Sequence, residues 1–269
     1  MWADLSFHTR VLLEVTILAG LSAFIGTHVL DRKLAFLTHA LGHATFPGIA
    51  LAAAVGAQLA VGGFAASCVV IGVLALLTRR RPHRVHAMTG LLLAAGFSLG
   101  TALTSAFLGN TTHNLEAFLV GQIVNVTDTD LAVSFGLLVV TAALTLLWHR
   151  RLTFSAFDPE SYRAAGHRPA AMSALVLVLI AAATSVLASQ VGAILAVAFL
   201  VAAPSAARAL VRGPIAVLVV SWIIGEAAGL LGATTSEHVN VPTGPAITIA
   251  LGVVTIATML YGARVSTTR

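Results

Sequence analysis

The chain has 269 residues, of which 58% are hydrophobic and only 9% charged, with a formal net charge of +5. A soluble domain of this length carries about 25% charged residues, so the composition excludes an ordinary water-soluble globule. The basic residues lie in short clusters rather than one patch, which excludes a nucleic-acid surface and reads as a set of membrane orientation signals. The opening MWADLSFHTR lacks the basic start of a secretory signal, and the apolar run after Arg10 is long enough to stay as a first membrane helix.

One membrane crossing needs about 20 apolar residues. In chain order the predicted spans are 11–30, 34–57, 63–78, 87–108, 129–148, 170–188, 191–207, 214–232 and 244–263. The expected fold is therefore an all-α polytopic membrane bundle, a single transmembrane domain over 1–269 with eight or nine transmembrane helices. The interval between Arg84 and Arg150 has spare length at 113–127 for a short or re-entrant helix. The span at 191–207 is short, ends near Pro204 and reads as a half-helix. Basic clusters occur at Arg32 and Lys33, at Arg79 to Arg84, at Arg150 to Arg168, at Arg208 and Arg212, and at Arg264 and Arg269. Positive loops stay cytoplasmic, which places the N-terminus outside and the C-terminus inside. Cys68 is the only cysteine, so no intrachain disulfide forms, and it reads as a small packing residue within a span.

The stretch LAFLTHALGHATFPGIALAAA carries His39 and His43 in an otherwise apolar crossing. Their spacing puts both rings on one helix face, about 6 Å apart along the axis. Polar groups at membrane depth are costly unless they face protein or water. Imidazole is also a common ligand for zinc and other late divalent metals. Pro47 cannot donate to the His43 carbonyl, so a kink with a freed oxygen is expected there. Gly48 allows another backbone to come close. The pair thus reads as part of a metal path; the plainer alternative is two histidines bonded to helix carbonyls.

Glu226, in SWIIGEAAGLLG, is an acid near mid-membrane. It is a candidate third metal ligand, a path-lining group, a proton acceptor or a bond to a neighbouring helix. Glu14 lies nearer a helix end and reads as reaching the interface. His113 and Glu116, and Glu237 and His238, fall in outer loops, where solvated polarity is the plainer reading and cation attraction the alternative. Asp128 and Asp130 read as caps of a helix beginning near 131. The segment FDPESYRAAGHRP at 157–169 is the longest polar stretch on the cytoplasmic side. Asp158 can cap a short helix with Pro159 at its first position, and Gly166 can end it. No G-x-x-x-x-G-K-[ST] or H-E-x-x-H motif occurs, so neither ATP binding by a P-loop nor that metal-dependent hydrolysis is indicated.

Four ordered blocks together resemble the permeases of bacterial ABC importers for zinc, manganese or iron. They are LDRKLAFLTHALGHATFPGIALA, LVGQIVNVTDTDL, FDPESYRAAGHRP, and VGAILAVAFLVAAPSAARAL followed by NVPTGPAITI. The resemblance implies a homodimer in the bacterial inner membrane, a separate ATP-binding cassette ATPase and an extracytoplasmic metal-binding receptor. It implies transport rather than catalysis, with no permanently bound cofactor and a divalent metal, zinc or manganese, as cargo. The family's histidine corresponds to His43, and its preceding acid falls at His39. That departure leans the path toward zinc, since imidazole suits zinc better than a harder ion. Asp158, Glu160, Arg163 and Gly166 match the ATPase-coupling segment. The rival readings are a proton-coupled secondary carrier and, more weakly, a membrane-embedded metalloenzyme.

Overall fold

The structure, a computed structural model, describes residues 7–79, 84–107, 109, 126–239 and 241–267. Its elements are α1 (Phe7–Asp31), α2 (Ala35–Ala44), α3 (Phe46–Val55), α4 (Leu59–Thr78), α5 (Val85–Phe107), α6 (Asp128–Leu147), α7 (His149–Phe157), α8 (Pro159–Ala164), α9 (Pro169–Val191), α10 (Ala193–Leu210), α11 (Pro214–Val239) and α12 (Thr243–Thr267). Among the described residues there is no strand, and eight helices are long and apolar enough to cross a bilayer. The predicted span 34–57 is divided into the two ten-residue helices α2 and α3. The all-α membrane bundle expected from composition is thus observed. The proposed helix at 113–127, with His113 and Glu116, lies largely outside the described residues.

Helix α1 forms the centre. In its most apolar window 83% of the residues are buried, against 11% for α5 and 17% for α12, which turn their sides outward. Small residues make that central position possible, because lipid-embedded helices associate by close van der Waals packing. Gly20 lies against the Trp222 indole of α11, and Gly26 against α10. A Cβ added at Gly26 would fall 2.5 Å from both the Leu200 carbonyl oxygen and Pro204 Cγ. Gly26→Ala is therefore expected to cost about 1–3 kcal/mol of stability, read as a lower unfolding midpoint in detergent.

Proline chemistry explains α10. Pro204 cannot donate, and its ring would crowd the carbonyl four residues back. The helix widens to π geometry over Ala198–Ala202, then resumes over Ala203–Leu210. The half-helix expected near Pro204 is instead a single bulged span of 18 residues.

Ion pairs stand at both ends of the bundle. At one end Arg32 reaches α7 and α9: it donates to the Leu152 carbonyl at 3.2 Å, Ser155 Oγ at 2.8 Å and Ser173 Oγ at 3.4 Å. Arg208 of α10 pairs there with Asp31 of α1. At the other end Arg10 pairs with Asp128 at 3.0 Å. There Thr127 caps α6, with Asp130 returning the bond to the Thr127 N–H. The helix thus begins at Asp128 rather than near 131: Asp130 closes the cap and Asp128 serves the ion pair. Cys68 is exposed on α4 rather than packed.

Candidate functional site

Two short helices carry the histidines. Helix α2 buries Leu37, Thr38, Ala40, Leu41, Gly42 and Ala44, which leaves His39 and His43 on its half-buried side. Their ring centroids are 5.0 Å apart with an edge-on angle of 85°. The His43 ring also meets Phe97 of α5 edge-on at 5.8 Å. Its Nδ1 is buried and has no hydrogen-bond partner. An unpaired buried imidazole nitrogen lacks a donor or a cation when it is unprotonated and an acceptor when it carries the ring proton.

The chain breaks at Thr45, between α2 and α3, not at Pro47 itself. Pro47 sits in the first turn of α3, where its missing N–H costs nothing. The Thr45 N–H at the break donates to the Leu41 carbonyl at 2.9 Å, and Pro47 supplies no N–H to the His43 carbonyl. Thr45 Oγ1 donates to the Gly42 carbonyl at 2.8 Å and locks the corner. Gly48 does what its small size suggests: α3 lies against α4 with Gly48 and Gly62 in backbone contact. On the other flank Gly96 meets Ala44, and Gly100 meets the Phe46 ring. The histidine corner is therefore held between α4 and α5 by glycine contacts. The sequence reading missed Gly62, Gly96, Phe97 and Thr45; none has a polar side chain except Thr45, which looked like filler in an apolar run.

Glu226 does not join the histidines. It lies on α11, where Thr16 Oγ1 of α1 donates to its Oε1 at 2.8 Å. It borders an open depression of about 560 Å³ with Thr16, Trp222, Ile223, Ala227 and Leu230. Among the described residues no three histidine, cysteine or acidic side chains come together as a metal site. His238 is exposed at the far end of α11. Glu14 does not reach an interface; it is fully buried and accepts from Ser134 of α6 at 2.8 Å.

The segment at 157–169 folds as its residues dictate. The Ser161 N–H donates to Asp158 Oδ1 at 2.9 Å, and Pro159 opens α8. Bonds from Ser161 hold the Asp158 carboxyl below its usual range, so the cap weakens only as pH falls through that lowered value. Gly166, at φ 81°, makes the left-handed turn that ends the helix. Tyr162, absent from the sequence reading, anchors the segment: it is 3% exposed and meets the Phe154 ring at 5.4 Å and the His167 ring at 4.8 Å. Asp158, Glu160, Arg163 and Gly166 all stay exposed around it.

A model of the ABC 3 transport family matches residues 4–262. The chain belongs to that family. Among curated relatives, the membrane protein MntC of a manganese transport system in Halalkalibacterium halodurans is 26% identical over 238 residues, covering 88% of this chain and 81% of the relative. The membrane protein TroC of a zinc transport system in Treponema pallidum is 27% identical, covering 92% of this chain and 86% of the relative. The solved structure of PsaBC from Streptococcus pneumoniae in complex with Fab superposes with a TM-score of 0.87 at 20% identity, covering 96% of this chain and 92% of that one. At that identity the superposition establishes the fold. A member of this family is a transport permease rather than a catalytic enzyme.

Proposed function

We propose that this chain is the permease of an ATP-driven importer of a divalent metal ion, with His39 and His43 lining the ion's path and zinc favoured over manganese or iron. The observation that carries the reading is the imidazole pair, 5.0 Å apart on the half-buried side of a broken helix, with His43 Nδ1 unpartnered. Two imidazoles are too few for a closed structural site, which uses four protein ligands. That suits a cargo that must leave. The missing ligands come from water, from the metal receptor that delivers the ion outside, or from the same face of a second copy in a homodimer. The donor set is nitrogen rather than carboxylate, which favours zinc, and zinc and manganese both appear among the relatives' named systems.

Energy comes from a separate ATPase seated on the exposed side of α8. The ATPase cycle moves α8, and Tyr162 passes the movement to α7, which Arg32 ties to α1. The bundle then opens alternately to either side. Arg163→Glu is expected to lower ATPase co-purification about tenfold, the effect of one reversed charge at a docking face. Unchanged association would remove Arg163 from the interface.

The direct test is zinc uptake into proteoliposomes that hold the permease and its ATPase. Uptake should require ATP and survive collapse of the proton gradient. Uptake driven by a proton gradient without ATP would replace this reading with a secondary carrier.

A further inference from the structure

Glu14 and Ser134 are fully buried, and Gln190 is 5% exposed. They join α1, α6 and α9 near the end of the bundle that also holds the Arg10–Asp128 pair. Ser134 Oγ lies 2.8 Å from Glu14 Oε1, 3.0 Å from Gln190 Oε1 and 2.9 Å from the Asp130 carbonyl. Gln190 Nε2 donates to Ser134 Oγ at 2.9 Å and to the Asp130 carbonyl at 3.3 Å. Ser134 has one hydroxyl proton for three acceptors. Glu14 Oε2 is buried with no hydrogen-bond partner at all.

Among the described residues the neighbouring charges engage other partners or stand exposed. Arg10, on its own helix, pairs with Asp128 of α6. The Asp130 carboxylate accepts the Thr127 N–H and hydroxyl. Glu226 of α11 accepts from Thr16, and His238 of α11 is exposed. Helix α9 carries no titratable side chain, and the charge on α10, Arg208, is paired with Asp31 at the opposite end.

We propose that Glu14, Ser134 and Gln190 form a proton-binding site, with the proton held on Glu14 Oε2 while α9 is seated on α1 and α6. A bare carboxylate enclosed in a membrane bundle without a cation is strongly disfavoured, because it gives up its hydration with nothing to replace it. A proton removes that cost and needs no cavity. The spacings of 2.8–3.0 Å are those of hydrogen bonds, and among the described residues no three acidic, histidine or cysteine side chains gather for a metal. Helix α9 also packs on α2, the helix of His39 and His43. Losing the proton leaves an unpaired charge where three helices meet and loosens the seat of α9. The site rests on the fold alone and is independent of the metal path.

Infrared difference spectra of the full chain in lipid nanodiscs, recorded as pH is raised from mildly acidic to alkaline, test it. A protonated-carboxyl C=O stretch is expected that fades at alkaline pH, is missing in Glu14→Gln and persists in Glu226→Gln. Ser134→Ala should move that band to higher frequency, because Ser134 donates to the carbonyl oxygen Oε1. Raising pH removes the proton from the folded state, so the wild-type melting temperature should fall with pH and that of Glu14→Gln should fall less. A wild-type spectrum without a band that Glu14→Gln deletes overturns the site. Should Glu14→Gln not fold, the Ser134→Ala shift decides: an unmoved band also overturns it.

Discussion

Replacing His39 and His43 together with alanine is expected to abolish ATP-dependent zinc uptake while leaving the permease assembled with its ATPase. The size of the effect follows from ligand chemistry. Removing a residue that merely orients a metal ligand commonly costs about 10- to 100-fold in affinity or activity. Removing two ligands should cost at least that much. Assembly should survive because both rings lie on the half-buried side of α2, away from the contacts made by Leu37, Leu41 and Ala44. Uptake of labelled zinc, with co-purified ATPase as the control, is the measurement. A well-assembled double variant that still transports at the wild-type rate would remove the pair from the path. His43→Ala is expected to be the more damaging single change, since it is His43 whose buried Nδ1 lacks a partner.

Gly48→Leu is expected to destabilise the bundle by about 3 kcal/mol, the upper part of the range for overpacking. The reason is backbone contact. A Cβ at Gly48 would fall onto the Gly62 carbonyl oxygen, 2.7 Å from the Gly62 carbonyl carbon and 2.8 Å from Ala66 Cβ. No side-chain rotation relieves that overlap, because the obstacle is the main chain of α4. Helix α3 would have to shift, and with it the Thr45 corner that aims the histidines. The variant should therefore lose both thermal stability and uptake. Gly72→Ala and Gly136→Ala meet open space and should change neither. Equal melting temperatures for Gly48→Leu and Gly72→Ala would contradict the packing argument.

Much of the architecture was legible because lipid imposes a simple code. Each crossing must be long, apolar and internally hydrogen-bonded. The predicted spans 87–108 and 129–148 accordingly lie within a few residues of α5 and α6. The Asp158–Pro159 start and Gly166 stop of α8 were legible for a different reason: capping and left-handed turns are decided by a few adjacent residues. Pro47 and Pro204 each announced a disturbance but not its form. One split the crossing two residues earlier, at Thr45; the other was absorbed by a π bulge. Which remedy wins depends on what packs against the helix, and that is not a local property.

By itself the sequence determined that this is an all-α membrane bundle, which end carries the basic loops, and that two imidazoles share one helix face. Those features follow from composition, charge position and helical period, and all three are read along a single strand of chain. Tertiary structure alone decided that Glu226 stands apart from the histidines, that Glu14 is enclosed with Ser134 and Gln190, and that Gly48 finds Gly62. Each is a meeting of residues from different helices. In a chain this uniformly apolar, hydropathy says that a helix is buried in something but not which neighbour it meets. Close packing of small residues makes that choice, and it is settled only when the helices are assembled.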